Sequence, residues 1–491
     1  MLSIDHNTRV FDKLNIRIIS TMKKAFSLFL FLLSITGFAQ IPCENGMAGN
    51  FPCDGFDLQS QIPLVTMNSD RANDAWGWTD SLDGKEYAIV CLIEGTAFID
   101  ISDPNNPLYL GKLPTENNNS TWRDAKTYND FAFIVSEDPG HGMQIFDLTR
   151  LRNVNNPPVT FTEDAHYSGF GGAHNIVINE ATGYAYGVGT NVNGGGPHFV
   201  NIQDPLNPID EGGYSGAGYC HDAQVVIYNG PDTDYTGREI LFGSNESEVV
   251  IIDVTDKMNP TTISTIDYNN VEYTHQGWLT ENQRYFLLGD EADEINLGIN
   301  TRTIIFDFAD LDNPLYDFDY SGPTEATDHN GFVKGDKFYL SNNAAGLRVI
   351  DISDIGSGTM TEEGYFDTHI INDNSGYNGA WSVYPYFESG NIVISDRTEG
   401  FVLVKASEIL ETNSEELSTI SISPNPTSEI LRIQSSNFAV NTLAIVDILG
   451  KMIYADEELD SKDITIDIST FSKGIYYLII NNLITKKILK Q

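Results

Sequence analysis

Four histidines could together bind a metal ion. They are His174, His221, His275 and His329, they lie about fifty residues apart, and each precedes a polar residue and then a short apolar run. Neutral imidazole is a common ligand of borderline transition metals such as zinc, copper, manganese and iron. Alternatively, each histidine makes the same packing contact in successive copies of a structural repeat. The sequence therefore leaves two interpretations open, a histidine-ligated metal site and a packing role.

A basic residue and the tryptophans extend this pattern. The histidine position is held by Ala75, Arg123 and Asn378 in other repeats, and all five tryptophans lie within three residues of it. A guanidinium can hold a carboxylated or sulfated ligand, and indole rings can stack on sugars. The alternatives are an internal ion pair and tryptophans that wedge neighbouring repeats apart. The predicted ligand-binding residues are Arg123, Asp124, Trp76, Trp78, Trp122, Trp278, Trp381 and Asn378.

A short acidic segment is a second candidate for ion binding. Asp290-Glu-Ala-Asp-Glu294 offers several carboxylate oxygens, which are the ligands that Ca²⁺ prefers. The segment lacks the glycine and the ordered spacing of a helix–loop–helix calcium site. A calcium site and a solvated acidic loop are therefore the two interpretations.

The positions of these side chains depend on a repeat that runs through most of the chain. A short apolar run ending in Asp, followed by a turn rich in Asp, Asn and Pro, recurs about every fifty residues. The residues that mark its phase are Asp100, Asp147, Asn201, Asp253, Asp307, Asp351 and Lys405. This spacing suits one four-stranded propeller blade. We therefore predict an all-β fold in which a seven-bladed β-propeller, residues 40–410, precedes a small immunoglobulin-like β-sandwich.

Such a propeller would gather the histidine positions at one mouth of a central channel, because the innermost strands line the channel. Residues 56–66 are expected to complete the seventh blade, since the last repeat lacks its own outer strand. Cys43 and Cys53 flank a short loop. We predict that they form a disulfide that ties the mature N-terminus to the first blade.

The N-terminal residues and the net charge indicate an exported protein. Residues 22–39 have the basic start, apolar core and small final residues of a signal peptide, and residues 1–21 are expected to lie upstream of the true start. That apolar core is too short for a permanent membrane anchor. The net charge is −41, of which residues 1–39 carry +3 and residues 416–491 carry −2, leaving −42 for residues 40–415, nearly all of which are the predicted propeller. This charge disfavours nucleic-acid partners and fits either solubility or cation binding.

A polar linker, residues 411–418, leads to a final module of alternating strands, residues 419–491. Its characteristic segments are Ser423-Pro-Asn-Pro-Thr427, Asp447-Ile-Leu-Gly-Lys-Met-Ile-Tyr454 and Ile468-Ser-Thr-Phe-Ser-Lys-Gly-Ile-Tyr-Tyr477. With them the module resembles the C-terminal sorting domain of proteins exported by the type IX secretion pathway of Bacteroidota. The resemblance implies an interaction with the type IX machinery, passage through the periplasm, and a final place at the outer-membrane surface or outside the cell.

The larger part of the chain, residues 40–410, resembles a second family. The segments that carry this resemblance include Phe51-Pro-Cys-Asp54, Trp76-Gly-Trp78, Arg123-Asp-Ala-Lys126, His221-Asp-Ala-Gln224 and Tyr273-Thr-His-Gln-Gly-Trp278. They are similar to the choice-of-anchor B family, which is built from LVIVD repeats. The resemblance implies a propeller and surface attachment, and it supplies no biochemical activity.

These observations lead to two functional hypotheses. The first is a secreted or cell-surface binding module whose small-molecule, glycan or protein ligand enters at the histidine-bearing channel mouth. The second is a secreted metal-dependent lyase or hydrolase, in which the four histidines bind the metal and Arg123 holds an anionic substrate. No catalytic residue is predicted, because the chain has no nucleophile elbow, His-Glu-x-x-His motif or phosphate loop.

Overall fold

The computed structural model describes residues 40–407, 420–435, 439–447, 451–456, 459, 461–481 and 484–491. The chain divides into two compact units, Met1–Ser407 and Glu408–Gln491. The predicted signal peptide 22–39, the segment 1–21 and the linker 411–418 lie outside the described residues.

Short strands make up most of the first unit. The first fourteen strands are β1 (Met47–Ala48), β2 (Phe51–Asp54), β3 (Phe56–Ile62), β4 (Ala72–Thr79), β5 (Glu86–Leu92), β6 (Gly95–Asp100), β7 (Leu108–Pro114), β8 (Arg123–Tyr128), β9 (Phe131–Ser136), β10 (Met143–Asp147), β11 (Val159–Thr160), β12 (Ala165–Tyr167), β13 (Asn175–Asn179) and β14 (Tyr184–Val188). The next eight are β15 (His198–Asn201), β16 (Ile209–Gly213), β17 (Asp222–Ile227), β18 (Glu239–Ser244), β19 (Val249–Asp253), β20 (Thr261–Ile266), β21 (Thr274–Leu279) and β22 (Tyr285–Asp290). The remaining nine are β23 (Arg302–Asp307), β24 (Leu315–Ser321), β25 (Gly331–Lys334), β26 (Lys337–Ser341), β27 (Leu347–Asp351), β28 (Thr361–Phe366), β29 (Ala380–Tyr384), β30 (Asn391–Asp396) and β31 (Gly400–Ala406). The described helices are α1 (Leu64–Met67), α2 (Asp293–Leu297) and the 3₁₀ turns Leu148–Asn153, Asn193–Gly195, Thr233–Tyr235 and Ile355–Ser357.

These strands form small sheets that close into a ring, and the pairing is antiparallel except where the short β11 pairs parallel with β7; β1 and β2 extend the sheet of β28. From inner to outer strand the sheets are β4-β5-β6-β7, β8-β9-β10-β12, β13-β14-β15-β16, β17-β18-β19-β20, β21-β22-β23-β24, β25-β26-β27-β28 and β29-β30-β31-β3. The inner strand of each sheet contacts that of the next sheet, and β29 contacts β4. Closure of this kind removes the exposed sheet edges that promote aggregation. The predicted all-β class is confirmed, and the ring of four-stranded sheets is a propeller-like arrangement.

The last sheet takes its outer strand from the N-terminal part of the chain. Strand β3 pairs antiparallel with β31, from Phe56 opposite Ala406 to Ile62 opposite Phe401. The strand is shorter than the expected segment 56–66. It ends at Ile62 because Pro63 has no N–H for the ladder, and Leu64–Met67 forms α1 instead.

The N-terminal disulfide lies on a different sheet from the one expected. Cys43 and Cys53 are bonded, with their Cα atoms 6.0 Å apart. Cys53 lies on β2 and pairs with Phe366 of the outer strand β28, so the disulfide holds the N-terminal segment on the sixth sheet rather than on the first. The reason is that β2 directly precedes β3, whose sheet is the neighbour of β28 in the ring.

The repeated aspartates form the turns that follow the third strand of a sheet. Oδ1 of Asp100 accepts a hydrogen bond from the N–H of Ser102 at 2.9 Å, and Oδ1 of Asp351 accepts one from Ser353 at 2.8 Å. A carboxylate bound to the backbone two residues ahead replaces a backbone contact where the strand ends. This contact explains why the repeat in the sequence ends on Asp.

Apolar side chains fill the space between neighbouring sheets and so fix the inner strands. Phe242 of β18 stacks with Phe286 of β22 and with Phe308, at 6.0 and 5.6 Å between ring centroids. All three side chains are fully buried. Burying one such ring stabilises the fold by about 1.5–3 kcal/mol. Since each sheet packs on two neighbours in this way, the position of every inner strand is set by contacts on both sides.

The second unit, within its described residues, consists of two antiparallel sheets. Its strands are β32 (Ile420–Ser423), β33 (Ile430–Ser435), β34 (Leu443–Asp447), β35 (Met452–Asp456), β36 (Asp463–Asp467), β37 (Gly474–Ile480) and β38 (Ile484–Lys490). One sheet has the order β32-β33-β36 and the other β35-β34-β37-β38. Leu431 and Ile433 from the first sheet share one buried core with Ile445 and Leu478 from the second.

Candidate functional site

The four predicted histidines lie side by side at the starts of four consecutive inner strands. The ring centroids are 4.0 Å apart for His174 and His221, 4.6 Å for His221 and His275, and 4.4 Å for His275 and His329. Trp381 continues the row, 4.5 Å from His329. Side chains from separate repeats thus meet at one end of the channel. We refer to these four histidines as the histidine row.

Backbone carbonyls fix the orientation of the rings. Nδ1 of His221 donates to the carbonyl oxygen of His275 at 3.0 Å, and Nδ1 of His329 donates to that of Trp381 at 2.7 Å. Because a carbonyl oxygen only accepts, Nδ1 carries the proton and Nε2 keeps its lone pair in the neutral ring. The row therefore presents Nε2 atoms that are available to a ligand or an ion.

Two glutamates approach the histidine row. The carboxylate of Glu291 lies 3.9 Å from Nε2 of His275 and 3.6 Å from Nε2 of His329. Glu137 contacts Nδ1 of His174 at 2.5 Å. Glu291 belongs to the predicted acidic loop, and neither glutamate was among the predicted site residues. Glu291 directly follows β22, the hairpin partner of the strand that holds His275, and Glu137 directly follows β9 of the sheet next to that of His174. The start of one strand and the end of its antiparallel neighbour lie side by side, and this was the signal that could have connected Glu291 with His275.

Burial keeps the central histidines neutral. It lowers the pKa of His221 and of His275 well below the usual value, and the neighbouring imidazoles act in the same direction. Burial acts to raise the pKa of Glu291, but the imidazole of His329 outweighs it and holds that pKa below its usual value. At neutral pH the row therefore combines neutral imidazole nitrogens with an ionised carboxylate.

Three Asp-Ala pairs show how the repeats align around the channel. Asp74, Asp124 and Asp222 each accept, through Oδ1, the N–H of the alanine that follows at 2.7 Å. A contact repeated at the same distance marks equivalent positions in the inner strands. The residues that precede these aspartates are therefore equivalent to one another: Asn73, Arg123 and His221.

Two predicted positions are corrected by this alignment. The first repeat holds Asn73 rather than Ala75 at the histidine position, and the last holds Trp381, which packs on His329. Asn378 is exposed on the segment before β29 and does not belong to the row. The error arose because the connections before the first and last inner strands differ in length from the others. The recurring Asp-Ala pair was the signal that could have identified Asn73.

Arg123 is buried rather than free to hold a ligand. Its side chain is 2% exposed, Nε donates to the carbonyl oxygen of Leu92 at 3.0 Å, and Nη1 lies 2.8 Å from Nε2 of His141. Burial lowers the pKa of Arg123 to about 10. Asp124 pairs with Lys126 and not with its neighbour Arg123. The predicted anion-binding role and the predicted ion pair are therefore both replaced by internal contacts.

Little space remains beside the histidine row. A space of about 10 Å³ is lined by residues from the starts of the inner strands: Asp74, Trp122, Arg123, His174, Asn175, His275, His329, Asn330 and Trp381. This volume is about that of one water-sized probe. The ligand entrance expected at this end of the channel is therefore closed by packed side chains.

A charged layer comes next along the inner strands. Nζ of Lys126 lies 2.6 Å from Oδ1 of Asp124 and 4.5 Å from the ring centroid of Trp76. Burial alone would lower the pKa of Lys126, but the carboxylates of Asp124 and Asp74 outweigh it and raise that pKa. Burial raises the pKa of Asp74 to about 6 and that of Asp222 to about 7. The ammonium is therefore charged at neutral pH, whereas the pKa values of the two aspartates lie close to neutral pH.

Beyond this layer the channel opens into a cavity of about 470 Å³. We call it the aromatic cavity, after the rings that line it: Trp76, Trp278, Phe332, Tyr384 and Tyr386. Trp76 packs edge-to-face on Tyr384 at 5.1 Å, and Trp278 on Phe332 at 5.0 Å, measured between ring centroids. The ionisable side chains that line the cavity are Asp74, Lys126, Glu180, Asp222 and Glu281. Lys126 and Tyr384 lie further along their inner strands than the histidine positions, and Tyr386 follows the end of β29, so none of the three was among the predicted site residues.

The five tryptophans divide among three environments. Trp76 and Trp278 line the aromatic cavity, whereas Trp122 and Trp381 lie beside the histidine row. Trp78 lines neither space. It is 5% exposed, its Nε1 donates to Asp130 at 3.1 Å, and its ring packs on Tyr87 at 5.0 Å. Trp78 therefore packs between the first and second sheets and is not a ligand-binding residue of the channel.

The acidic segment 290–294 is folded inward rather than exposed to solvent. Asp290 is fully buried and accepts the N–H groups of Glu272 at 2.8 Å and Tyr273 at 2.7 Å. Asp293, the first residue of α2, pairs with Arg302 at 2.6 Å. Glu294 is buried as well. The solvated-loop interpretation is therefore wrong for this segment, because its carboxylates are turned into the fold.

Several solved structures are similar to this chain. The β-propeller domain of Cps50 (Swd1) from Myceliophteria thermophila has 9% identity and a TM-score of 0.44, covering 72% of this chain and 99% of that one. A functionally unknown protein from Desulfotomaculum acetoxidans has 14% identity and a TM-score of 0.43, covering 66% and 94%. A protein from Lactobacillus plantarum has 11% identity and a TM-score of 0.42, covering 81% and 99%. A comparison with curated proteins gives no match.

Among the described residues, no helix has the length and apolar character needed to cross a membrane.

The C-terminal unit gives a match of a different kind. Residues 421–491 match the family model of the secretion system C-terminal sorting domain, which confirms the predicted sorting module. Such a domain interacts with the type IX secretion machinery and directs export to the cell surface or the extracellular space. The chain is therefore an all-β, propeller-like protein that carries a type IX secretion sorting domain.

Proposed function

We propose that this protein is an exported seven-bladed β-propeller that binds a small organic cation in its aromatic cavity. The blade count is supported by the seven inner strands that contact one another in a closed ring. The observation that carries the binding function is a cavity of about 470 Å³ that combines aromatic walls with acidic side chains. A cavity of this size suits a small molecule.

The charges around the cavity favour a cationic ligand. Four carboxylates line it, Asp74, Glu180, Asp222 and Glu281, against the single ammonium of Lys126. That ammonium already lies 2.6 Å from a carboxylate oxygen of Asp124. A bound cation would stabilise the ionised forms of Asp74 and Asp222, which burial disfavours. An anionic ligand would make the same ionisation more costly.

The aromatic walls favour a cation for a separate reason. The faces of indole and phenol rings attract a cation through their electron density, and quaternary ammonium groups are recognised by cages of such rings. Lys126 already lies over Trp76, which shows that this part of the channel stabilises an ammonium group. Trp278, on the inner strand β21, also lines the cavity and would supply the indole face that a ligand cation contacts.

The test is a calorimetric titration of the full chain with choline and with 3,3-dimethylbutan-1-ol, its neutral isostere. We expect choline to bind about 10–30-fold more tightly, because the two probes differ only in charge and a desolvated cation–π contact is worth about 2 kcal/mol. Trp278→Leu is expected to reduce choline binding by a similar factor. Trp122→Leu, which changes an indole outside the cavity, is the matched control and should leave binding unchanged.

Two results would contradict the proposal. Equal affinity for choline and the neutral isostere would mean that the cavity selects ligands by shape and not by charge. Tighter binding of a carboxylated sugar than of choline would favour the glycan ligand that the sequence left open. In either case the Trp278→Leu variant would still tell whether the probe enters the aromatic cavity.

Export and attachment complete the proposed function. The matched sorting domain supports passage through the periplasm and across the outer membrane, followed by release or attachment at the surface. The two-sheet architecture of the C-terminal unit supports an immunoglobulin-like sandwich. The lyase or hydrolase hypothesis has less support, because Arg123 is engaged by Leu92 and His141 and the space beside the histidine row holds about 10 Å³.

A further inference from the structure

We propose that His221, His275, His329 and Glu291 form a site for one divalent transition-metal ion, and that zinc fits it best. This site lies at the opposite end of the channel from the aromatic cavity and does not depend on the proposed cation-binding function. One of the four histidines expected to bind the metal, His174, is not part of this site. His174 is held by Glu137, and the carboxylate of Glu291 takes the fourth place.

The distances suit a shared ion. His221, His275 and Glu291 each offer one ligand atom, and these atoms lie within 4.8 Å of one another. The carboxylate oxygens of Glu291 lie 3.9 Å from Nε2 of His275 and 3.6 Å from Nε2 of His329. Two ligands on a tetrahedral zinc, with bonds of about 2.0–2.1 Å, are separated by roughly 3.3 Å. Closing separations of up to 4.8 Å to this value takes side-chain movements of roughly 1 Å, and His329, which lies outside that group of three, joins it through its contact with Glu291.

The same distances are too long for direct hydrogen bonds, which place such atoms about 2.7–3.2 Å apart. Within residues 40–407, the imidazole of His275 is 3% exposed and its Nδ1 has no hydrogen-bond partner. A buried imidazole that is poorly satisfied is unfavourable. An ion held between Nε2 of His275 and the carboxylate of Glu291 would give that ring a strong partner.

The surrounding contacts orient the ligands for a metal. Nδ1 of His221 and Nδ1 of His329 each donate to a backbone carbonyl, which directs the Nε2 lone pair of each ring away from that carbonyl. Metal-binding histidines typically use their second nitrogen in this way. Glu291 is held by the hydrogen bond from its own N–H to the carbonyl oxygen of Tyr273 at 3.1 Å. The orientation of two of the three rings, and the backbone of Glu291, are therefore set before an ion binds.

The donor set distinguishes among ions. Three imidazole nitrogens with one carboxylate match zinc, whereas calcium and magnesium prefer oxygen ligands. The three histidines precede or begin the inner strands of three consecutive sheets, β17, β21 and β25, and Glu291 follows β22. A bound ion would tie these sheets together at the closed end of the channel and raise the melting temperature of the fold.

The test measures metal content and coordination in the full chain. After equilibrium dialysis against buffered zinc, we expect one zinc ion per chain by elemental analysis. Cobalt in place of zinc should give visible absorption bands typical of four-coordinate nitrogen and oxygen ligands. Glu291→Gln keeps the size of the side chain and should weaken zinc binding at least about tenfold. Glu137→Gln is the matched control, since Glu137 contacts His174 outside the proposed set, and it should retain the ion.

Three outcomes would overturn the proposal. These are a wild-type protein that takes up no zinc under these conditions, a Glu291→Gln variant that binds as well as wild type, and a Glu137→Gln variant that loses the ion equally. If Glu291→Gln fails to fold, the cobalt spectrum of the wild-type protein decides, because an ion bound only by surface carboxylates gives weak octahedral bands. Loss of choline binding in any variant has no bearing on this site.

Discussion

The two ends of the channel are built from the same repeated strands but differ in packing. At the histidine row the side chains leave about 10 Å³, whereas a few residues further along the inner strands the aromatic cavity holds about 470 Å³. The packed end contains small rings that contact one another at 4.0–4.6 Å between centroids. At the open end, large rings pack against each other edge-to-face and leave the centre free.

This difference separates positions that repeat in the sequence from positions that are accessible to a ligand. The histidines are the most regular chemical feature of the chain, but they fill their end of the channel. The aromatic cavity is lined in part by equivalent positions whose side chains differ, since Trp76 and Lys126 each directly follow an Asp-Ala pair of an inner strand. Recurrence of one residue type therefore marks the packed end of the channel, while the cavity forms where equivalent positions carry different side chains.

The charged layer between the two ends should give the largest effect. Lys126→Met removes the ammonium that contacts Asp124 and leaves buried carboxylates uncompensated. We expect a loss of about 3–5 kcal/mol in the free energy of unfolding, as is typical when one partner of a buried ion pair is removed. The measurement is guanidinium unfolding followed by tryptophan fluorescence, which reports on the first unit because all five tryptophans precede residue 408.

Lys85→Met is the control for that experiment. Lys85 pairs with Asp83 at 3.3 Å, but both side chains are about two-fifths exposed, at 44% and 40%. Such surface pairs contribute at most about 1 kcal/mol. If the two variants lose the same free energy of unfolding, the Lys126 ion pair contributes no more than an exposed pair. The charged layer would then not separate the packed end of the channel from the open end.

The pH dependence of choline binding is the next largest effect. Burial raises the pKa of Asp222 to about 7, so the carboxyl is mostly neutral in mild acid and ionised at mildly alkaline pH. We expect affinity for choline to rise about tenfold as the pH increases from below 6 to above 8, since only the ionised form attracts the cation. The stability of the unliganded protein should change in the opposite direction. The folded state binds more protons than the unfolded state between about pH 4 and 7, so the free energy of unfolding falls as the pH rises through this window.

Asp222→Asn tests the assignment of this dependence. The variant should bind choline weakly at every pH and should lack most of the rise in affinity. Lys126, Asp124 and Asp74 influence the same titration, so part of the stability profile is expected to remain. A pH profile unchanged from wild type would show that the titrating group lies elsewhere in the aromatic cavity.

The smallest effect is expected for coupling between the two ends. The charged layer separates the proposed zinc site from the aromatic cavity, and the lining residues of the cavity do not include His221, His275 or Glu291. We therefore expect saturating zinc to change the dissociation constant of choline by less than about twofold. Titration calorimetry with and without zinc provides the comparison. A larger change would mean that the two ends act as one site, and the reciprocal effect of choline on zinc binding should then have the same size.

Several features of this molecule followed from local chemistry alone. The repeated Asp turns, the alternation of apolar strands and the position of the C-terminal sorting domain depend on residues that are close in sequence, and each was predicted with its approximate bounds. The identity of the ligand-binding residues was predicted less well. Asn378 and Trp78 lie away from the channel space, and Arg123 is engaged by internal partners.

The remaining features were decided by tertiary structure. Glu291 meets His329 because the ends of neighbouring sheets converge at the channel, and the pairing of Lys126 with Asp124 rather than with solvent follows from burial in the ring. The sequence by itself determined that repeats of β-strands exist and which residue types recur in them, because short-range hydrogen bonds and alternating burial leave a local pattern. Which end of the channel is filled and which is open depends on the volumes of side chains contributed by all the inner strands at once, and only the closed ring brings those volumes together.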